Sequence, residues 1–273
     1  MDNYSITRTD PLEAPPRRKW WIPILWLLAE TCALIVICVL PTGSIAWATW
    51  FAVGRSLEQN AAYNVSTTAT AQSQTVLADP PQDWKHLDAA FTTPAIWYEG
   101  TDTSKRGLSD NVIVKGAYIW KLRADESVLW WRMPDVDRLF STTNFYVSVD
   151  VTRSHGSDSD TRYGLVFRSF SRSYYVFGIS NSGMFSIDER AFDHWNTLQD
   201  WTYSPTIRDG VINHLAVLGM GSHFWFFING QFVHELENTA NDHGEVGIFH
   251  AVHLVGEEST VIFENFTLYV PPD

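Results

Sequence analysis

The sequence predicts an all-β antiparallel sandwich of the jelly-roll kind, preceded by one N-terminal transmembrane helix. Three observations predict it. Residues Trp20 to Val53 hold a single charged side chain, Glu30. Beyond Arg55 the chain becomes polar and acidic, and apolar and polar residues alternate with period two through stretch after stretch. Those stretches are separated by Asn, Gly and Ser turn signals.

Crossing the hydrocarbon core of a bilayer takes roughly 20 apolar residues at about 1.5 Å each. Trp20 to Leu40 is such a run, with Trp20, Trp21 and Trp26 suited to the interface. Pro41, Thr42 and Gly43 interrupt it, so Ile45 to Val53 either continues the helix past a kink or lies at the far interface beside Trp47 and Trp50. Arg17, Arg18 and Lys19 precede the run and Arg55 alone follows it, an asymmetry that places residues 1–19 in the cytoplasm and the C-terminal domain outside the cell membrane. Ala46-Trp47-Ala48 resembles a signal-peptide cleavage site, but the apolar run exceeds the roughly 7 to 15 residues of a secretory h-region. Glu30 falls mid-span, where an ionised carboxylate costs on the order of 3 kcal/mol; it either pairs with another membrane subunit or is protonated or snorkels. Cys32 and Cys38, the two cysteines of the chain, lie on different faces of this helix, so the outer domain holds together by its core alone.

Residues 54–273 carry 15 Lys plus Arg against 27 Asp plus Glu, and so the whole net charge of −12. Nucleic acid is excluded as a partner on that balance. Residues 54–82, rich in Ala, Ser, Thr and Gln and ending in Pro80-Pro81, read as a flexible linker, and residues 83–273 as one sandwich domain. Phe145, Val147, Val149 and Val151 share one face of a strand while Tyr146, Ser148 and Asp150 share the other. Tyr163 to Arg168, Tyr175 to Ile179, Asn213 to Leu218, Phe224 to Ile228 and Val246 to Leu254 repeat the pattern. Asn229-Gly230 has the residue pair of a type I′ hairpin, and Ser180 to Gly183 separates another two strands. The apolar phase of the last strand shifts between Phe263 and Phe266, which predicts a bulge near Glu264-Asn265.

The segments YGLVFR (Tyr163 to Arg168), YYVFGIS (Tyr174 to Ser180), GMF (Gly183 to Phe185), FFINGQFV (Phe226 to Val233), GEVGIF (Gly244 to Phe249) and VIFENFTLYV (Val261 to Val270) resemble the concanavalin A-like lectin/glucanase superfamily. Within it they are most similar to laminin-G-like domains and to the 3-keto-disaccharide hydrolase type domain. The resemblance covers about Ala117 to Val270. It implies a jelly roll of two curved sheets with ligands on the concave sheet or at its rim loops. The glucanase branch uses clustered carboxylates of the form E-x-D-x-E on one strand, and this chain has no such run, so no glucanase catalytic residue carries over.

Glycoside hydrolysis needs two carboxyl groups roughly 5 to 10 Å apart. Glu235 and Glu237 could meet that spacing, whereas alternation sends Asp188 and Glu189 to opposite faces. Solvated surface charge is the simpler reading of such pairs, and no catalytic residue is assigned. Among nine histidines, His250 and His253 point to opposite faces of one strand, and none sits at a zinc spacing. No metal site and no cofactor is expected, although Ser157 to Asp160 and Glu257-Glu258 offer the hard oxygens that calcium takes. Eight Trp lie between Trp84 and Trp225. Sugar rings stack their C–H faces on such side chains, while a sandwich also buries large aromatics in its core. Phe224 and Phe226 are assigned to the core, with His223 and Trp225 on the other surface. Arg168, Tyr174, Trp195, Trp201 and Trp225 are the candidate ligand contacts. Three readings follow: a membrane-anchored domain that binds carbohydrate or another surface ligand without chemistry, an accessory subunit of an envelope complex, and a glycoside hydrolase of the 3-keto-disaccharide type.

Overall fold

The computed structural model describes residues 79–93, 95–136, 142–154 and 161–272. The expected helix over residues 20–53, Glu30 within it, most of the linker and the Ser157 to Asp160 segment lie outside the described residues. Among the described residues no helix is long and apolar enough to cross a membrane.

Every regular element described is a strand. In chain order these are β1 (Lys85–Leu87), β2 (Gly100–Ser104), β3 (Gly107–Val114), β4 (Ala117–Ala124), β5 (Val128–Arg132), β6 (Phe145–Arg153), β7 (Thr161–Phe170), β8 (Ser173–Ser180), β9 (Met184–Ala191), β10 (His194–Tyr203), β11 (Asn213–Met220), β12 (His223–Ile228), β13 (Gln231–Glu237), β14 (Glu245–Val252) and β15 (Glu258–Val270). They form two antiparallel sheets. One has nine strands in the order β13-β12-β11-β6-β15-β4-β3-β2, with β1 added alongside β15; the other has six, ordered β10-β9-β8-β7-β14-β5.

The inward residues of both sheets meet in one core, which makes the molecule a β-sandwich. Phe145, Val147, Val149 and Val151 enter that core, as their alternation predicts. Phe167, Tyr175 and Phe177 of the six-stranded sheet pack against Phe224 and Phe226 of the other, with ring centroids 5.1–6.1 Å apart. A second aromatic group, Phe91, Trp97, Tyr118 and Phe266, lies within the same core. His223 and Trp225 do sit on the opposite surface from Phe224 and Phe226 and stack at 4.4 Å. The hairpin at Asn229-Gly230 carries positive φ at both residues, 52° and 75°, as a type I′ turn requires. The β15 bulge falls between Glu264 and Thr267, where Asn265 takes φ 51° and donates to Asp150 Oδ2 at 2.7 Å.

Candidate functional site

The six-stranded sheet places a second, smaller apolar cluster on its outer face. Alternation divides its strands cleanly: Leu165, Phe167, Phe177, Ile179, Phe185 and Ile187 point inward, so Arg162, Val166, Tyr174, Val176, Ser186, Asp188 and Arg190 point outward. Leu129, Phe249 and Ala251 join them from β5 and β14, with Trp131 and Trp195 packed at the margin. Cross-strand register then fixes neighbours. Tyr174 of β8 pairs with Arg190 of β9, which pairs with Trp195 of β10; Val176, Asp188 and Thr197 form the next row.

Arg162 crosses this face. Its Nη1 lies 2.6 Å from Asp188 Oδ2 and its Nη2 donates to the Ser186 carbonyl at 3.1 Å, although Arg162 sits on β7 and both partners on β9. The strand between them carries Gly178, and a Cβ there would stand 2.6 Å from Phe249 Cζ and 2.9 Å from Arg162 Cγ and Nε. Glycine at that position is what lets the side chain pass over β8. The guanidinium is held between two rings, 5.3 Å from the Trp201 centroid and 5.5 Å from that of Phe249. Its side chain is 2% exposed and that of Asp188 11%. Burial lowers the Arg162 pKa, and the Asp188 charge opposes that shift.

Aromatic side chains surround the pair. Tyr174 packs against Trp131 at 4.8 Å and edge-on against Trp195 at 5.7 Å, and Arg190 lies over Trp195 at 5.4 Å. Trp131, Trp195 and Trp201 are each half-buried, so their rings form the accessible part of the face. Among the described residues, Arg162 Nε, Ser186 Oγ, Trp195 Nε1 and both ring nitrogens of His253 are buried side-chain atoms without a hydrogen-bond partner. Burial, reinforced by the Arg162 charge, pushes the His253 pKa down to about 4, so the imidazole is neutral at pH 7.

Of the five residues singled out in the sequence, Tyr174, Trp195 and Trp201 come together here. Arg168 and Trp225 lie elsewhere. Arg168 takes φ 49° and is fully buried; its Nη1 donates to Asn241 O at 2.8 Å, its Nη2 to Thr143 O at 2.7 Å and to Gly221 O, and its guanidinium caps Phe224 at 4.5 Å. It ties three loops together. Trp225 is on the outer face of the nine-stranded sheet, with its Nε1 donating to Glu235 Oε2 at 3.1 Å, and the core separates it from Trp201.

Arg162, Arg190, Ser186 and Trp131 were not singled out in the sequence, and Asp188 was weighed there only as a carboxylate partner for Glu189 and set aside. The order Ser-Ile-Asp-Glu-Arg along β9 does place Ser186, Asp188 and Arg190 on one face. Nothing local says that Arg162 lies across from them, because that needs the pairing of β7, β8 and β9. Glu189, on the other face, accepts from Asn196 Nδ2 at 3.1 Å. Glu258 lies 3.4 Å from Lys121 Nζ, and among the described residues no group of three or more His, Cys, Asp or Glu side chains could hold a metal ion.

No protein-family model matches the chain, and no curated protein sequence matches it. Solved structures do. A carbohydrate binding module, CBM66, from Bacillus subtilis is 17% identical over 64% of this chain and 95% of its own, with a TM-score of 0.47. The catalytic domain of an endo-1,3-beta-glucanase (laminarinase) from Thermotoga petrophila is 9% identical over 71% of this chain and 100% of its own, at 0.46. A GlcNAcα1-4Gal-releasing endo-β-galactosidase from Clostridium perfringens is 9% identical over 70% of this chain and 64% of its own, at 0.48. At such scores these similarities assign neither ligand nor activity to this chain.

Proposed function

We propose that this chain is a single-pass membrane protein with its N-terminus in the cytoplasm, and that its outer domain is a concanavalin A-like jelly roll that binds carbohydrate without cleaving it. The ligand face is the outer face of the six-stranded sheet. The observation that carries this reading is the set of half-buried Trp131, Trp195 and Trp201 rings laid around the buried pair of Arg162 and Asp188. Half-exposed indoles stack on the apolar faces of sugar rings, and a few fixed polar groups orient the hydroxyls. The accessible groups are the Trp131, Trp195 and Trp201 rings; Ser186 Oγ, Trp195 Nε1 and the His253 nitrogens are buried and would meet a sugar only after a side-chain shift. Asp188 is engaged as an ion-pair acceptor, a poor starting point for delivering a proton to a glycosidic oxygen.

The test is a glycan array probed with the full chain in nanodiscs. Trp201→Ala and Trp195→Ala should each weaken the strongest hit about fivefold or more, since such aromatic anchors are worth about 1–3 kcal/mol, while Trp225→Ala should leave it intact. Binding that survives both substitutions, or that follows Trp225 instead, would move the ligand off this face.

One observation favours glycoside cleavage as a second reading. Glu245, at the start of β14, has its pKa raised by burial and by the nearby Asp135 charge, the direction of shift that a general acid needs. Turnover of oxidised disaccharides that vanishes in Glu245→Gln would establish it. Background rates in the unmodified chain would end it.

A further inference from the structure

Three exposed apolar side chains stand on hairpin turns at one end of the sandwich. Phe170 is 51% exposed, Phe192 62% and Met220 46%. Phe170 opens the β7–β8 turn, whose Ser171 and Arg172 take φ 46° and 77°; Phe192 sits in the β9–β10 turn at φ 52°; Met220 precedes Gly221 in the β11–β12 turn. A left-handed backbone at a bulky residue such as Phe192 is a true outlier, tolerated only where the surroundings enforce it. Here they do. The Phe192 N–H donates to Ser173 Oγ at 3.3 Å, and Arg172 Nη2 joins the two turns through Asp193 Oδ1 at 2.6 Å. The Phe170 ring rests on His243 at 4.6 Å. These rings are displayed on a braced scaffold.

The same end receives the chain. Arg168 bonds the carbonyls of Gly221 in the β11–β12 turn and of Thr143 just before β6. Tyr146, near the start of β6, pairs with Tyr269 near the end of β15, and Val270 pairs with Lys85, the first residue of β1. The described chain therefore enters β1 from the same end of the sandwich that carries the β7–β8, β9–β10 and β11–β12 turns. At the opposite end Tyr203, which closes β10, Val211 and Ile212, just before β11, and Val255, after β14, are also exposed, so the arrival of the chain, and not the count of apolar side chains, distinguishes the two ends.

We propose that this end of the sandwich rests on the lipid surface, with Phe170, Phe192 and Met220 entering the boundary between headgroups and acyl chains. The inference rests on the membrane-anchor reading and adds an orientation to it. Twenty-five residues separate Val53 from Asp79, at most about 85 Å of extended chain, so the reach is ample. Tethering turns the contact into an intramolecular event, and a few apolar side chains then suffice where a free domain would need many. Arg172 pairs with Asp193 at this end, while Glu237 and Asp242 keep exposed carboxylates there. With a net charge of −12 on the chain, a zwitterionic surface is the fitting one.

The test uses the full chain with Cys32→Ser and Cys38→Ser, carrying one new cysteine, Phe192→Cys, Phe170→Cys or Val255→Cys, labelled with the polarity-sensitive dye NBD. Each is reconstituted into phosphatidylcholine nanodiscs with and without brominated acyl chains. The expected result is a blue shift and loss of at least half the emission to bromolipid at positions 192 and 170, with neither at 255. Chain retained in the discs with an aqueous, unquenched dye at both 192 and 170 would overturn this orientation and leave the anchor standing. Chain that fails to stay with the discs would overturn the anchor and this inference together.

Discussion

Replacing Asp188 by Asn removes one charge from the ligand face at almost constant volume. The Arg162 side chain would remain 2% exposed, between the rings of Trp201 and Phe249, with the Ser186 carbonyl as its one remaining named hydrogen-bond partner. Deleting one member of a buried pair costs about 3–5 kcal/mol, because the other charge is stranded. For a domain of this size about 1 kcal/mol moves the melting temperature about 2–4 °C, so Asp188→Asn should lower it by about 6–20 °C. The companion variant Arg162→Met with Asp188→Leu removes both charges and should recover most of that loss, since apolar replacement of a whole pair is often neutral or stabilising. Urea unfolding of the full chain, followed by tryptophan fluorescence and paired with calorimetry, measures both. A cost below about 1 kcal/mol, the scale of an exposed pair, would show that water reaches Arg162. A double variant no better than the single one would show that the lost stability has a source other than the stranded charge.

Other perturbations have equally definite outcomes. Gly247→Ala puts a Cβ 2.1 Å from the Arg132 carbonyl, against backbone that cannot yield, so it should abolish the pairing of β5 with β14 and yield protein that fails to give a folded circular-dichroism spectrum. Arg168→Lys keeps the charge but replaces the planar fork that reaches three carbonyls; it should cost about 2–4 kcal/mol in urea unfolding and speed amide exchange in the Thr143, Gly221 and Asn241 loops together. His250 and His253 are buried and neutral, with pKa values lowered to about 3 and about 4. Their folded values lie below the unfolded 6.5, so the unfolded chain binds more protons as pH falls and stability drops from about pH 6.5 down towards 4. The slope approaches about 1.4 kcal/mol per pH unit for each histidine. Unfolding curves between pH 7.5 and 4.5 should flatten by that amount in His253→Gln.

The parts of the fold legible in the sequence are those set by neighbours along the chain. Alternation alone assigns Phe145 to Val151, and the side-chain pair Asn229-Gly230 dictates its turn, because the needed φ angles are local. The same holds for the β15 bulge, where the apolar phase visibly shifts. Arg168 shows where such reasoning ends. Counting outward from Leu165 sends it to the sheet's outer face with Val166, but a register shift between Phe167 and Phe170 and a left-handed backbone turn it onto the end loops instead. For Tyr174, Trp195 and Trp201, sequence supplied the residue types; the cross-strand pairing of β8, β9 and β10 made them neighbours. The crossing of Arg162 over Gly178 depends on both effects and left no local trace.

The smallest strand governs how the domain responds to a pull. β1 has three residues and, among the described residues, pairs along β15 alone, while β15 has its own pairings with β4 and β6. Tension arriving through the preceding polypeptide meets this three-residue ladder before any other strand, and so short a ladder has few bonds to resist it. The remaining layers then stay intact while this short segment detaches and re-anneals, so the sandwich carries a mechanical fuse at its point of attachment.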